Sequence, residues 1–167
     1  MENRHAVSKR EAAGMTTEEL RTNFLVPDLF NDGQVTLVHS HQDRVIVGGA
    51  VPGEGPLRLD APDELRAEYF LQRRELGVFI IQGTGAVTTD GQRHELPKGG
   101  CIYVGRGVRD VSFETVGDEQ ALFYLFSASA HTSHPTASVL PGHGDRTTIG
   151  TEPPAAGRNE RRRGPQP

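Results

Sequence analysis

The chain has one cysteine, Cys101, in 167 residues. No internal disulfide can form, and an intracellular setting fits. No apolar run approaches the roughly 20 residues that a membrane-spanning helix needs. The first thirty residues are charged and broken, so they hold no signal-peptide core. One-sided charge is also missing. Lys and Arg total 18 against 22 Asp and Glu, a net charge of −4. Nothing in that balance points to nucleic acid or an anionic membrane. A cytoplasmic protein with neither partner is expected.

What the chain has is turn chemistry. Its 20 glycines and 11 prolines punctuate short apolar runs, the texture of an all-β fold. The length favours a single domain with an ordinary core. A helix is expected only near the start. There Thr16 and Glu19 have capping-box spacing ahead of Leu20, Phe24 and Leu25, and Pro27 ends or bends the helix. Strands are expected over 35–38, 44–50, 69–82, 86–89, 92–96, 101–104, 108–115 and 120–128. The long one is expected to bend or bulge at Gly77. Asp90-Gly91 suits a type I′ hairpin, in which both central residues take positive φ. From about Thr151 the chain reads "TEPPAAGRNERRRGPQP", without one large apolar side chain. Such a segment cannot offset its own ordering entropy and is expected to be disordered. The expected layout is a flexible arm over 1–15, a β-barrel over 16–150 and a Pro/Arg-rich tail over 151–167.

Spacing around the hairpin is more specific. Gly91, Pro97 and Gly99 form G-x5-P-x-G, which resembles the second sequence motif of the cupins. "ELGVFIIQGTG" resembles the end of the first. The resemblance implies a single cupin-type jelly-roll barrel. It also implies where metal ligands would stand: a His-x-His, the glutamate after it, and a late histidine. Those positions here hold Tyr69 to Leu71, Glu75, and Ile102 or Tyr103. One donor in four does not make a site for a divalent ion that needs several converging N or O ligands, so no metal is expected in this barrel. His39 and His41, in "HSH", share a strand face by alternation. No acidic residue or third histidine lies at a matching spacing, so the pair is expected to be structural. Cys101 and Tyr103 are expected in the core.

Longer stretches resemble one family throughout: "LRTNFLV", "SHQDRVIVGG", "YFLQRRELGVFIIQGTG", "DGQRHEL", "IYVGRG" and "AHTSHPT". It is the 4-deoxy-L-threo-5-hexosulose-uronate ketol-isomerases, also called 5-dehydro-4-deoxy-D-glucuronate isomerases. The resemblance implies an enzyme of pectin and uronate breakdown. It would interconvert this keto-uronate and 3-deoxy-D-glycero-2,5-hexodiulosonate by aldose–ketose isomerisation. It further implies a cytoplasmic, two-cupin, zinc-containing homo-hexamer whose zinc ligands belong to the second cupin. That half has no counterpart in this chain, so truncation or a frameshift, and inactivity of the chain alone, are expected. The alternatives are a metal-free cupin for assembly or sugar-acid binding, and a non-functional remnant.

Four residues are candidates for substrate contact or for an interface. Arg73, Arg74 and Glu75 interrupt an apolar stretch. Guanidinium forks match a uronate carboxylate, while Arg-Arg-Glu also supplies both signs for an ion-pair network between domains or subunits. His131, after the last strong strand, can shuttle protons or seat the domain edge.

Overall fold

β-Branched and aromatic residues alternating between turn residues produce short strands throughout. A computed structural model describes residues 1–139; the expected tail and the stretch 140–150 before it lie outside the described residues. The elements are β1 (Glu2–Arg4), α1 (Lys9–Ala12), α2 (Thr17–Phe24), β2 (Gln34–Ser40), β3 (Val45–Val51), β4 (Leu57–Arg58) and β5 (Arg74–Gln82). Then follow β6 (Thr84–Thr89), β7 (Gln92–Leu96), β8 (Cys101–Val104), β9 (Val111–Val116), β10 (Leu122–Ser129) and β11 (Ala137–Val139). One sheet has the order β1-β2-β3-β10-β5-β8-β11, the other β4-β9-β6-β7. Strand β1 runs parallel to β2, and the other pairings are antiparallel. The fold is an all-β jelly roll built from these two sheets. No helix among the described residues is long and apolar enough to cross a membrane.

Alternation decides what enters the core. On β5, Leu76, Val78 and Ile80 point inward, and on β10 Phe123 and Leu125 do; all five are 2% exposed or less. From the smaller sheet come Val87, Leu96, Val111 and Phe113. Two aromatic rings join the layers, Phe113 and Phe123, with centroids 5.2 Å apart and planes tilted by 46°. Gly85 makes room for this contact, because a Cβ there would run into the Phe123 ring.

Local signals hold where the chemistry is local. Thr16 caps α2, and its capping box with Glu19 is closed in both directions. Asp90 (φ 46°) and Gly91 (φ 84°) make the hairpin between β6 and β7. The Asp90 carboxylate also accepts from the backbone N–H groups of Arg109 and Asp110, both at 2.9 Å. Residues 1–15, set apart above as an arm, place β1 alongside β2 through the pairs Glu2–Val38 to Arg4–Ser40.

The long strand expected over 69–82 is shorter. Phe70–Gln72 form a 3-10 turn, and pairing begins at Arg74. The turn buries Phe70 and Leu71 against the core, which an extended backbone would have sent to opposite faces. Pairing runs in register through Gly77; the irregularity falls at Ile81, which is passed over between the pairs Leu122–Gln82 and Phe123–Ile80.

Candidate functional site

Three strands of the large sheet change character toward one end. Inward positions on β5 run Ile80, Val78, Leu76 and then Arg74. On β10 they run Phe123, Leu125 and then Ser127 and Ser129. On β2, Leu37 gives way to His39. The core therefore ends in polar groups, and a cavity of about 490 Å³ opens over them. That volume lies within the roughly 300–1,000 Å³ of small-molecule sites. Its charged or titratable lining is His39, Glu64, Arg73, Arg74, Arg106 and His131.

The arginines are held by neutral acceptors. Arg74 is 7% exposed. Its Nε donates to Ser127 Oγ at 3.0 Å, and its Nη2 to the carbonyls of Ser127 (2.9 Å) and Arg44 (3.1 Å). Arg44 closes the β2–β3 turn with left-handed backbone, φ 55°. Arg106 Nε donates to the Gln72 carbonyl at 3.1 Å, and its Nη1 to those of Ala130 (3.2 Å) and His131 (3.0 Å). Arg73 Nη2 donates to the carbonyls of Leu65 and Arg66, both at 2.9 Å. None of the three forms an ion pair among the described residues. The lining carboxylate, Glu64, lies 3.6 Å from the amine of Met1.

Burial pushes the Arg74 guanidinium below the ordinary arginine value. Arginine still stays protonated at neutral pH. Burial also lowers the His39 pKa, and the charges of His41 and Arg74 lower it further. The His39 Nε2 is buried without a hydrogen-bond partner among the described residues.

Of the four candidates, Arg73, Arg74 and His131 meet at this cavity. Glu75 does not. Alternation sends it to the opposite face of β5 from Arg74, where it accepts a hydrogen bond from the Tyr103 hydroxyl at 2.8 Å. The Arg-Arg-Glu group therefore forms no ion pair within the described chain. Tyr103 is half-buried on the outer face rather than in the core. Burial, then the Glu75 contact, pushes its pKa up to about 12. Arg106 was missed: its "YVGRG" setting reads as a turn, and only the return of residues 130–131 shows what it grips.

His41 stacks on His5, with centroids 5.5 Å apart, and tilts against His39 at 4.5 Å. Among the described residues no three or more His, Cys, Asp or Glu side chains are grouped to hold a metal ion. The zinc that the resemblance implies does not fit this donor set.

Residues 24–161 match the KduI/IolB family, a span that takes in every cavity residue named above. The chain belongs to this family. It is 47% identical over 148 residues to a 4-deoxy-L-threo-5-hexosulose-uronate ketol-isomerase of Bacillus pumilus, covering 86% of this chain and 54% of that protein. The Lachnoclostridium phytofermentans protein of the same name is 49% identical over 84% of this chain and 51% of its own length. The Bacillus subtilis one is 44% identical over 81% and 50%. The chain thus spans about half the length of these KduI/IolB relatives. Solved structures similar in part are the Schizosaccharomyces pombe Cnp3 cupin domain and the Ylba protein of E. coli. The former has TM-score 0.43 and 18% identity, covering 57% of this chain and 64% of that one. The latter has TM-score 0.45 and 14% identity, covering 57% and 38%.

Proposed function

We propose that this chain serves the ketol-isomerisation of 4-deoxy-L-threo-5-hexosulose-uronate as a substrate-recognising barrel. It turns substrate over only when joined by a second, zinc-holding half. One observation carries this reading: 47% identity to a named ketol-isomerase across 86% of the chain, over just 54% of that relative's length. The isomerisation moves a proton between neighbouring carbons through an enediol-like state. This chain's own part is to hold the charged end of the substrate, because guanidinium groups match carboxylate geometry. Zinc belongs to ligands other than residues 1–139, whose donors do not group to hold it. The cytoplasm and a homo-oligomer belong to the same reading.

The test is isomerase activity of the purified chain with zinc added, alone and with the separately produced carboxy-terminal half of the Bacillus pumilus relative. No turnover above a blank is expected from the chain alone, and turnover from the pair. An active chain by itself would overturn the half-enzyme reading; an inactive pair would overturn the isomerase reading.

A second reading, an assembly module, has its own observation. The outer face of the large sheet leaves Phe79 41%, Ile81 46% and Phe126 41% exposed. Apolar side chains grouped in this way mark interaction surfaces. Light scattering during size exclusion, with metal analysis, tests it: a defined metal-free oligomer supports it, and a monomer or stoichiometric zinc counts against it.

A further inference from the structure

We propose that the cavity at the polar end of the barrel is a binding site for one small polyhydroxy carboxylate. Arg74 and Arg106 hold the carboxylate, Arg73 closes over it, and His39 takes a hydroxyl. The class "sugar acid" rests on the uronate reading above; the anion site does not.

The argument starts from charge. A buried charge is ordinarily paired, because removing it from water costs far more than neutral hydrogen bonds return. Arg74 is 7% exposed, yet its acceptors are one hydroxyl and two carbonyls. Arg106 and Arg73 are held the same way, by carbonyls. Three cations therefore share one cavity with one carboxylate, Glu64, which has the Met1 amine for a neighbour. The excess is positive, and the described residues do not neutralise it.

Hydrogen-bond geometry agrees. The carbonyl contacts fix each guanidinium and leave one terminal nitrogen of each without a partner among the described residues. These are Nη1 of Arg73, Nη1 of Arg74 and Nη2 of Arg106. Each nitrogen carries two N–H donors. Fork donors already held in place lose little entropy on meeting a carboxylate, which favours binding. His39 lines the same wall, and its Nε2 is buried without a partner among the described residues, so that a turn of the ring would present it to a ligand. An imidazole nitrogen pairs with a hydroxyl as donor or acceptor according to its protonation and tautomer. Donors for a carboxylate together with one group for a hydroxyl describe a hydroxy acid better than a phosphate or a simple fatty acid. The 490 Å³ volume suits a ligand of one sugar ring or its open chain.

The test titrates the full chain with D-glucuronate, acetate and D-glucose, reading arginine side-chain Nε–H signals by NMR and heat by calorimetry. Glucuronate is expected to saturate one site with a Kd on the order of 1 mM or tighter, a modest value for a ligand this small. It should move the Arg74 and Arg106 signals; acetate should bind at least tenfold more weakly and glucose not at all. Arg73→Gln should weaken glucuronate severalfold, while the loss of its two carbonyl contacts is read separately as a lower melting temperature. His39→Phe should narrow the gap between glucuronate and acetate. The NMR readout on the unaltered chain stands even where Arg74→Gln fails to fold. No saturable shift with either acid overturns the proposal, and equal affinity for acetate and glucuronate overturns its sugar-acid assignment. Glucuronate binding by a chain whose paired form lacks isomerase activity sinks the uronate reading and leaves the site standing. An active pair whose barrel binds no acid does the reverse.

Discussion

Gly105→Ala is the substitution whose consequence the structure defines most sharply. A Cβ at Gly105 would be driven onto the carbonyl oxygen of His134, with the His134 carbonyl carbon at 3.0 Å. Both are backbone atoms, so relief requires moving the segment after β10. Three hydrogen bonds tie that segment to the β8–β9 turn. Arg106 Nη1 donates to the Ala130 and His131 carbonyls at 3.2 and 3.0 Å, and Ser133 Oγ donates to the Arg106 carbonyl at 2.7 Å. Losing one charge-assisted bond, about 1.5–3 kcal/mol, and the hydroxyl bond, about 0.5–1.5 kcal/mol, gives a loss of about 2–4.5 kcal/mol. With a urea m-value near 2 kcal/mol/M, the midpoint should fall by roughly 1–2 M. Gly55→Ala is the control, because a Cβ there meets nothing within 4 Å and its backbone is not left-handed. It should be neutral or stabilising by up to about 1 kcal/mol through the unfolded chain. A Gly105→Ala midpoint within about 0.3 M of the parent, about 0.6 kcal/mol, would refute the account of how residues 130–134 are held.

Two further predictions concern the core and the outer face. Phe113→Ala removes a fully buried ring and its contact with Phe123, and should lose about 3–5 kcal/mol by urea unfolding; a loss below about 1.5 kcal/mol would mean the layers do not meet there. Tyr103 should ionise late, near pH 12, in an ultraviolet titration. Because its folded pKa is raised, its contribution to stability is whole below the ordinary tyrosine value near 10 and disappears as pH rises through about 12. Tyr103→Phe should remove the late step, and a late step surviving in that variant would refute its assignment to Tyr103.

Much of this fold is legible in the residues because the deciding interactions span few of them. The Thr16 capping box needs residues three apart, and the Asp90-Gly91 hairpin needs two adjacent positive-φ positions. Period-two alternation likewise sorts Leu76, Val78 and Ile80 from their outward neighbours. The family signature in "YFLQRRELGVFIIQGTG" is local in the same sense. Even so, that stretch misleads as a continuous strand: whether Phe70 and Leu71 turn inward depends on a core built by distant strands.

The site is the opposite case. Residue types alone placed Arg73, Arg74 and His131 among the candidates, but put Glu75 with them. Register separated Glu75 from Arg74, since neighbours on a strand face opposite ways and only one side of this sheet leads to the cavity. Arg106 became part of the site because the chain returns at Ala130 and His131 to offer it carbonyls, a contact across 24 and 25 residues. His39 became an unpartnered buried group because β2 ends beside the same polar rim. Sequence determined which side chains can carry charge, cap or turn. Tertiary structure decided which of them line one cavity, because the ends of β2, β5 and β10 and the returning chain at residues 130–131 bring side chains from distant parts of the sequence together.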